Sequence, residues 1–181
     1  MPTATSRAPG AHTADGRRPR LGMAARMRLE IHSSIGEVDR QAWNALGGDA
    51  HPFLRHEFFA ALEQAECVGP GTGWDPLYLT LVDAQGLAAA APAWLKTHSF
   101  GEFVFDFSWA QAYARHGLPY YPKLVLGIPF TPATGPRLLA PDDAGKRALL
   151  EAAANVARTN KLSSVHITFQ PEADWRLCGE E

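Results

Sequence analysis

Two carboxylates, Glu102 and Asp106, stand four residues apart in the stretch 102-EFVFDF-107. If that stretch is a strand they share one face. A carboxylate pair so placed could supply the general base that takes a proton from an attacking amine, and the competing reading is a solvated strand face. His98, just upstream in KTHSFGE, is a third polar candidate, set against a solvated loop histidine. Downstream, Tyr120, Tyr121 and Lys123 lie beside Arg115, His116 and Arg137, an aromatic and cationic grouping able to hold a carboxylate, a phosphate or a sugar. Tyrosine and proline before a strand can equally pack a loop against a core. Thr131, Thr134 and Arg137 in PFTPATGPR could line the end of a sheet or only shape proline turns. The candidate catalytic residues are therefore Glu102 and Asp106, and the candidate substrate-binding residues are His98, Tyr120, Tyr121, Lys123, Thr131 and Arg137.

Other chemistries find less support. His51, His56, His98, His116 and His166 are scattered without the H-x-x-x-H spacing that puts two ligands on one helix face, so no metal site is expected. The two cysteines, Cys67 and Cys178, lie outside any C-x-x-C pattern, which argues against zinc and against a disulfide framework. A net charge of -2 provides no overall basic field for nucleic acid, and specific DNA binding is not expected. No apolar run approaches the roughly 20 residues of a membrane span, and no charged segment leads into an apolar stretch near Met1. A cytoplasmic protein is the expectation.

Elements must position these residues, and 181 residues with 46% apolar content suffice for one domain. Residues 1–27, rich in Ala, Arg, Gly, Pro and Thr, cannot offset their ordering entropy by burial and are predicted to be a disordered tail. Alternation predicts a strand at Arg28 to Ile31, and helical spacing follows in 38-VDRQAWNAL-46 and 55-RHEFFAALEQAE-66. The loop 69-GPGTG-73 leads to a hairpin of 77-LYLTLVD-83 and 87-LAAAAPAWLK-96, with the second strand interrupted or edge-exposed at Pro92, which has no N–H to donate. Further strands are expected at 102–107 and 123–130 around a short helix at 108–117. A long helix from about Asp142 to Lys161 is capped by Asp142 and Asp143, a strand follows at 163–169, and a last helix starts near Glu172.

That order of elements resembles the N-terminal run of the GNAT-type N-acyltransferase fold, a mixed sheet whose central strands splay to admit an acyl donor. The words 52-PFLRHEFFAALE-63, 69-GPGTGW-74, 92-PAWLKTHSFGEFVFDFSWAQAY-113, 120-YYPKLVLGIPFTPATGPRLL-139 and 164-SVHITF-169 resemble the opening half of a bacterial family described as peptidoglycan biosynthesis/recognition, related to Fem-type aminoacyl and peptidyl transferases. The similarity covers about residues 50–175. The resemblance implies an α/β (α+β) GNAT-like fold for residues 28–181, the first of two halves, with the sheet truncated after its fifth or sixth strand and the C-terminal half absent. It implies N-acyl or aminoacyl transfer to a small-molecule or peptidoglycan-precursor substrate, with aminoacyl-tRNA or acyl-CoA as donor. The alternative is a non-catalytic recognition domain that binds a cell-wall precursor or peptide.

In an acetyl-CoA-dependent GNAT, a Q/R-x-x-G-x-G/A turn after the fourth strand cradles the pyrophosphate at a helix N-terminus. The corresponding stretch here, 127-GIPFTPATGPRLLAPDDAG-145, spaces Gly127, Gly135 and Gly145 differently, and its prolines remove donors. Asp142 and Asp143 would repel a phosphate. CoA binding, and with it any bound cofactor, is not expected.

Overall fold

The structure is a computed structural model that describes residues 27–47, 51–102 and 105–179. The expected tail lies outside the described residues except for Met27. The chain runs β1 (Arg28–His32), α1 (Arg40–Ala45), α2 (His56–Gln64), β2 (Trp74–Pro76), β3 (Tyr78–Asp83), β4 (Gly86–Ala91), β5 (Ala93–Lys96), α3 (Phe107–Arg115), β6 (Lys123–Leu126), α4 (Asp143–Thr159), β7 (Val165–Ile167) and α5 (Glu172–Cys178). Short 3-10 turns at Ile35–Glu37 and Pro52–Leu54 precede α1 and α2. This is a mixed α/β fold with two sheets, an antiparallel one in the order β1-β3-β4 and a mixed one in the order β2-β5-β6-β7.

Pro92 accounts for the division into two sheets. With no N–H for the ladder, it ends β4, which pairs with β3, and β5 then pairs with β6 in the other sheet. The Pro92 carbonyl still accepts from Gly127 N at 3.1 Å, so the crossing point is tied to the second sheet. The expected interruption is thus the point at which the chain changes sheet. The turn before β4 is closed by Asp83, whose side chain accepts from Gln85 N at 2.7 Å.

The two-residue period of β3 sends its side chains to opposite faces. Tyr78 joins Trp43 of α1, Phe59 of α2 and Trp94 of β5 in one core, where the rings meet edge to face at 5.2–5.9 Å. Leu79 and Leu81 join Leu124, Leu126 and the buried stripe Leu149, Ala152, Ala153 and Val156 of α4 in the other. Asp142 caps α4 by accepting from Gly145 N at 2.8 Å. The unit β6–α4–β7 is a parallel crossover, with β6 paired in parallel to β7.

Two expectations need correction. The stretch from Phe105 to Phe107 is not a strand: Asp106 is the residue preceding α3, and the helix begins at Phe107. Residues 103 and 104 lie outside the described residues. The alternating Phe105 and Phe107 find no sheet to pack on and remain exposed, at 57% and 43%, while the polar groups of Asp106 are used elsewhere, as described below. The strand β2, directly after the glycine-rich loop, was not expected. Among the described residues, no helix is long and apolar enough to cross a membrane.

Candidate functional site

The register of β5 against β6 sets Lys96 opposite Lys123, and both side chains are fully buried. Facing ammonium groups repel, so each needs compensation from the loop that follows β5. Lys96 Nζ donates to the carbonyls of His98 (2.5 Å) and Phe100 (2.8 Å) and lies 4.6 Å from the Trp74 ring centroid. Lys123 Nζ donates to Asp106 Oδ2 (2.5 Å) and Glu102 Oε2 (3.3 Å). The rings of Tyr120 and Tyr121 flank it at 5.1 and 5.3 Å. The two carboxylates therefore converge because a buried cation at the start of β6 draws in a loop and the start of α3. Shared strand facing has no part in it.

Further bonds fix this loop. Tyr120 Oη donates to Asp106 Oδ2 at 2.8 Å, Ser99 Oγ lies 2.5 Å from Tyr121 Oη, and Asp106 N donates to Ser99 Oγ at 3.2 Å. Asp106 is thus held by an ammonium and a phenol. Glu102 is less engaged: its Oε1 lies 3.2 Å from Lys123 Nζ but accepts no hydrogen bond among the described residues.

Glu102 and Asp106 both open onto a cleft of about 300 Å³ that is also lined by Trp74, Gly101, Phe130, Thr131, His166 and Phe169. Phe130 and Phe169 both hold left-handed backbone conformations, with φ of 59° and 54°. Such strain in bulky residues persists only where the surrounding structure enforces it. A second hollow of about 310 Å³ shares Asp106 and His166 with the cleft and is walled by Trp109, Tyr113 and Tyr120. The two hollows meet at those shared residues.

The charges in the cleft are sorted by environment. Burial raises the Glu102 carboxyl above the usual carboxylate range, and the charge of Lys123 only partly offsets this. Burial also pushes on Asp106, but the hydrogen bonds from Lys123 and Tyr120 prevail and hold it below its ordinary value. Burial, assisted by the Lys123 charge, lowers the His166 pKa and so favours its neutral imidazole. Burial lowers Lys96 to about 8 and raises the Tyr120 and Tyr121 phenols. One carboxylate is thus firmly ionised, while the other sits closer to neutrality with an oxygen to spare. That oxygen can accept a proton or bind an ammonium.

Of the residues singled out in the sequence, Glu102, Asp106, Tyr120, Tyr121 and Lys123 come together, and Thr131 lines the same cleft, its Oγ1 donating to Pro129 O at 2.9 Å. His98 does not line the cleft. Its Nδ1 accepts from Phe100 N at 3.2 Å, and its ring packs against Gly73, where an added Cβ would lie 2.3 Å away. Arg137 is a correction. Fully buried, it donates to the carbonyls of Thr168, Gly135, Pro136 and Ala133 at 2.6–3.1 Å, so its guanidinium holds the 133–137 loop to the end of β7, and it lines neither hollow. Arg115 and His116 are exposed at the end of α3 and line neither hollow. With Lys123 enclosed by its carboxylates, the cationic floor expected from the sequence is replaced by a carboxylate-bearing cleft. Trp74, Gly101 and His166 were not read as site residues; the GPGTGW word places Trp74 directly after a glycine-rich loop, and that was the available signal.

No curated protein and no solved structure matches the chain. Residues 34–181 match the family model of FemAB-like proteins, described as peptidoglycan biosynthesis/recognition. That span takes in both sheets except β1, and it includes the whole cleft with its two carboxylates and buried lysines. The chain belongs to the FemAB-like peptidoglycan biosynthesis/recognition family.

Proposed function

We propose that residues 28–181 form the first, GNAT-like half of a Fem-type N-acyl or aminoacyl transferase, and that the cleft receives the amine of a peptidoglycan precursor. The observation that carries this reading is the Glu102 carboxylate. It is half-buried beside a lysine, its pKa is raised, it lines the cleft, and its Oε1 accepts no hydrogen bond although it lies 3.2 Å from Lys123 Nζ. A carboxylate in that condition suits a general base, whose efficiency peaks when its pKa approaches the working pH. Glu102 takes a proton from the acceptor ammonium. The freed amine attacks the donor's acyl carbonyl, an N–C bond forms, and the donor's ester or thioester bond breaks with departure of its alcohol or thiol. The buried Lys123, itself held by Asp106, positions Glu102, and His166 lines the same cleft.

The parallel β6–α4–β7 crossover supports the GNAT-like reading. Asp142 already occupies the N-terminus of α4 through its bond to Gly145 N, which disfavours a CoA pyrophosphate there and favours aminoacyl-tRNA or a peptidyl precursor as donor. The test is a transfer assay with aminoacyl-tRNA, acyl-CoA and peptidyl precursors as donors and an amine-bearing muropeptide as acceptor, read by mass. Glu102→Gln is expected to lower turnover about 100-fold or more with acceptor affinity retained within a few-fold. Unchanged turnover would leave Glu102 without a chemical role. Acceptor binding without transfer from any donor would favour a recognition domain.

A further inference from the structure

The cleft contains a second buried polar atom for which the described residues supply no partner: the indole nitrogen Nε1 of Trp74. Trp74 is only 4% exposed and lines the cleft together with Glu102. An indole N–H can only donate, and leaving it buried and unpaired is costly. Phenylalanine could keep the ring contacts with Trp94 (edge to face, 6.2 Å) and Phe130 (tilted, 5.9 Å) without that cost. The N–H is therefore unexplained by packing.

Gly101 packs closely against this edge of the indole: its φ of +82° favours glycine, and a Cβ there would clash with Trp74 Nε1 and Phe130 Cε1, each at 2.6 Å. Among the described residues, the side chains lining the cleft thus include one donor, Trp74 Nε1, and one carboxylate oxygen, Glu102 Oε1, that make no hydrogen bond. An anion is disfavoured by Glu102 and Asp106. An α-amino acyl group answers both atoms, with its amine at Glu102 and its carbonyl oxygen at Trp74.

We infer that Trp74 is a specificity-determining residue whose indole N–H takes the carbonyl oxygen of an α-amino acyl group bound through its amine at Glu102. This rests on the amine-accepting role of Glu102 proposed above. In an ¹⁵N-labelled chain the Trp74 indole resonance, assigned by its loss in Trp74→Phe, is followed during titration with L-alaninamide, isopropylamine and methyl glucoside. L-alaninamide is expected to shift that resonance and to bind about tenfold more tightly than isopropylamine, a difference of about 1.4 kcal/mol. Trp74→Phe is expected to abolish the preference for L-alaninamide over isopropylamine. Equal binding of L-alaninamide and isopropylamine, with no shift of the indole resonance, overturns the role of Trp74 and leaves the amine reading standing. Failure of both amines to bind overturns the two together, and a shift produced by methyl glucoside alone replaces the acyl group with a sugar. If Trp74→Phe does not fold, the indole resonance is assigned from triple-resonance and NOE spectra of the unaltered chain, and the shift measurement still decides the question.

Discussion

Replacing Lys123 with methionine would keep most of the buried stem and remove the charge that holds Glu102 and Asp106 together. At an effective dielectric constant of about 20, the contacts at 2.5 and 3.2 Å correspond to gross attractions of about 7 and 5 kcal/mol before desolvation. The net cost of removing one member of a buried ion pair is about 3–5 kcal/mol, because the remaining charges lose their partner. In a domain of this size each 1 kcal/mol moves the melting temperature by about 2–4 °C, so Lys123→Met should melt about 6–20 °C lower at pH 7. The deficit should shrink in acid. In the parent protein, Asp106 has a depressed pKa, so its contribution is present above the unfolded value and is lost as pH falls through the folded one. In the variant the facing carboxyls are raised instead, so the folded state takes up protons first and gains stability as pH falls towards about 4. Thermal melts of both proteins at pH 7 and pH 4 provide the assay. A Lys123→Met melt within about 2 °C of the parent at pH 7, or a deficit unchanged at pH 4, would refute the idea that this cation organises the site.

Lys96 should give the protein an alkaline stability gain. Its charged form is disfavoured in the fold, with a pKa of about 8 against roughly 10.4 when unfolded, so stability should rise between pH 8 and 10 by up to about 1.4 kcal/mol per unit. Above about pH 10 the raised Tyr78 and Tyr120 phenols reverse the trend, because the unfolded chain then releases protons first. Denaturant titrations should show the rise flattened in Lys96→Met, and a slope the same in both proteins would contradict the assignment. Arg137→Met should cost on the order of 3 kcal/mol or more by stranding buried carbonyls, and a variant within about 1 kcal/mol of the parent would show that water replaces the guanidinium. Calorimetry should detect no binding of CoA or acetyl-CoA, and a one-to-one isotherm abolished by changing Gly135 would restore a pyrophosphate cradle.

The fold was largely legible because its periods are strong. The i, i+3, i+4 stripe of α4, its Asp142 cap and the Pro92 interruption each follow from one local rule, and each has its counterpart in the structure. The strand assigned to 102–107 fails at 105–107, because alternation alone cannot reveal that among the described residues no strand lies alongside, and Phe105 and Phe107 stay exposed. At the site, the sequence singled out two carboxylates that do come together, for a reason that did not hold. Glu102 and Asp106 meet through Lys123, which is a contact between distant segments and leaves no spacing signal. The same limit explains Arg137 and Lys123, read as free cations. Whether a cation faces a ligand or four backbone carbonyls depends on tertiary burial. Trp74 was obscured by its type, since a tryptophan after a loop is first a core residue, and only its unpartnered nitrogen sets it apart.

The central claim, that the cleft recognises an amine at Glu102, is tested most directly by comparing one muropeptide with its N-acetylated twin in a calorimetric titration of the parent protein and of Glu102→Gln. The account predicts that the free amine binds the parent about tenfold or more tightly than the acetylated form, as expected for a charge-assisted contact of about 1.5–3 kcal/mol. It predicts that Glu102→Gln narrows this preference while the protein stays folded, since removing a raised carboxylate relieves its burial cost at pH 7. Equal affinity of the two muropeptides for the parent, or a preference unchanged in Glu102→Gln, would contradict it.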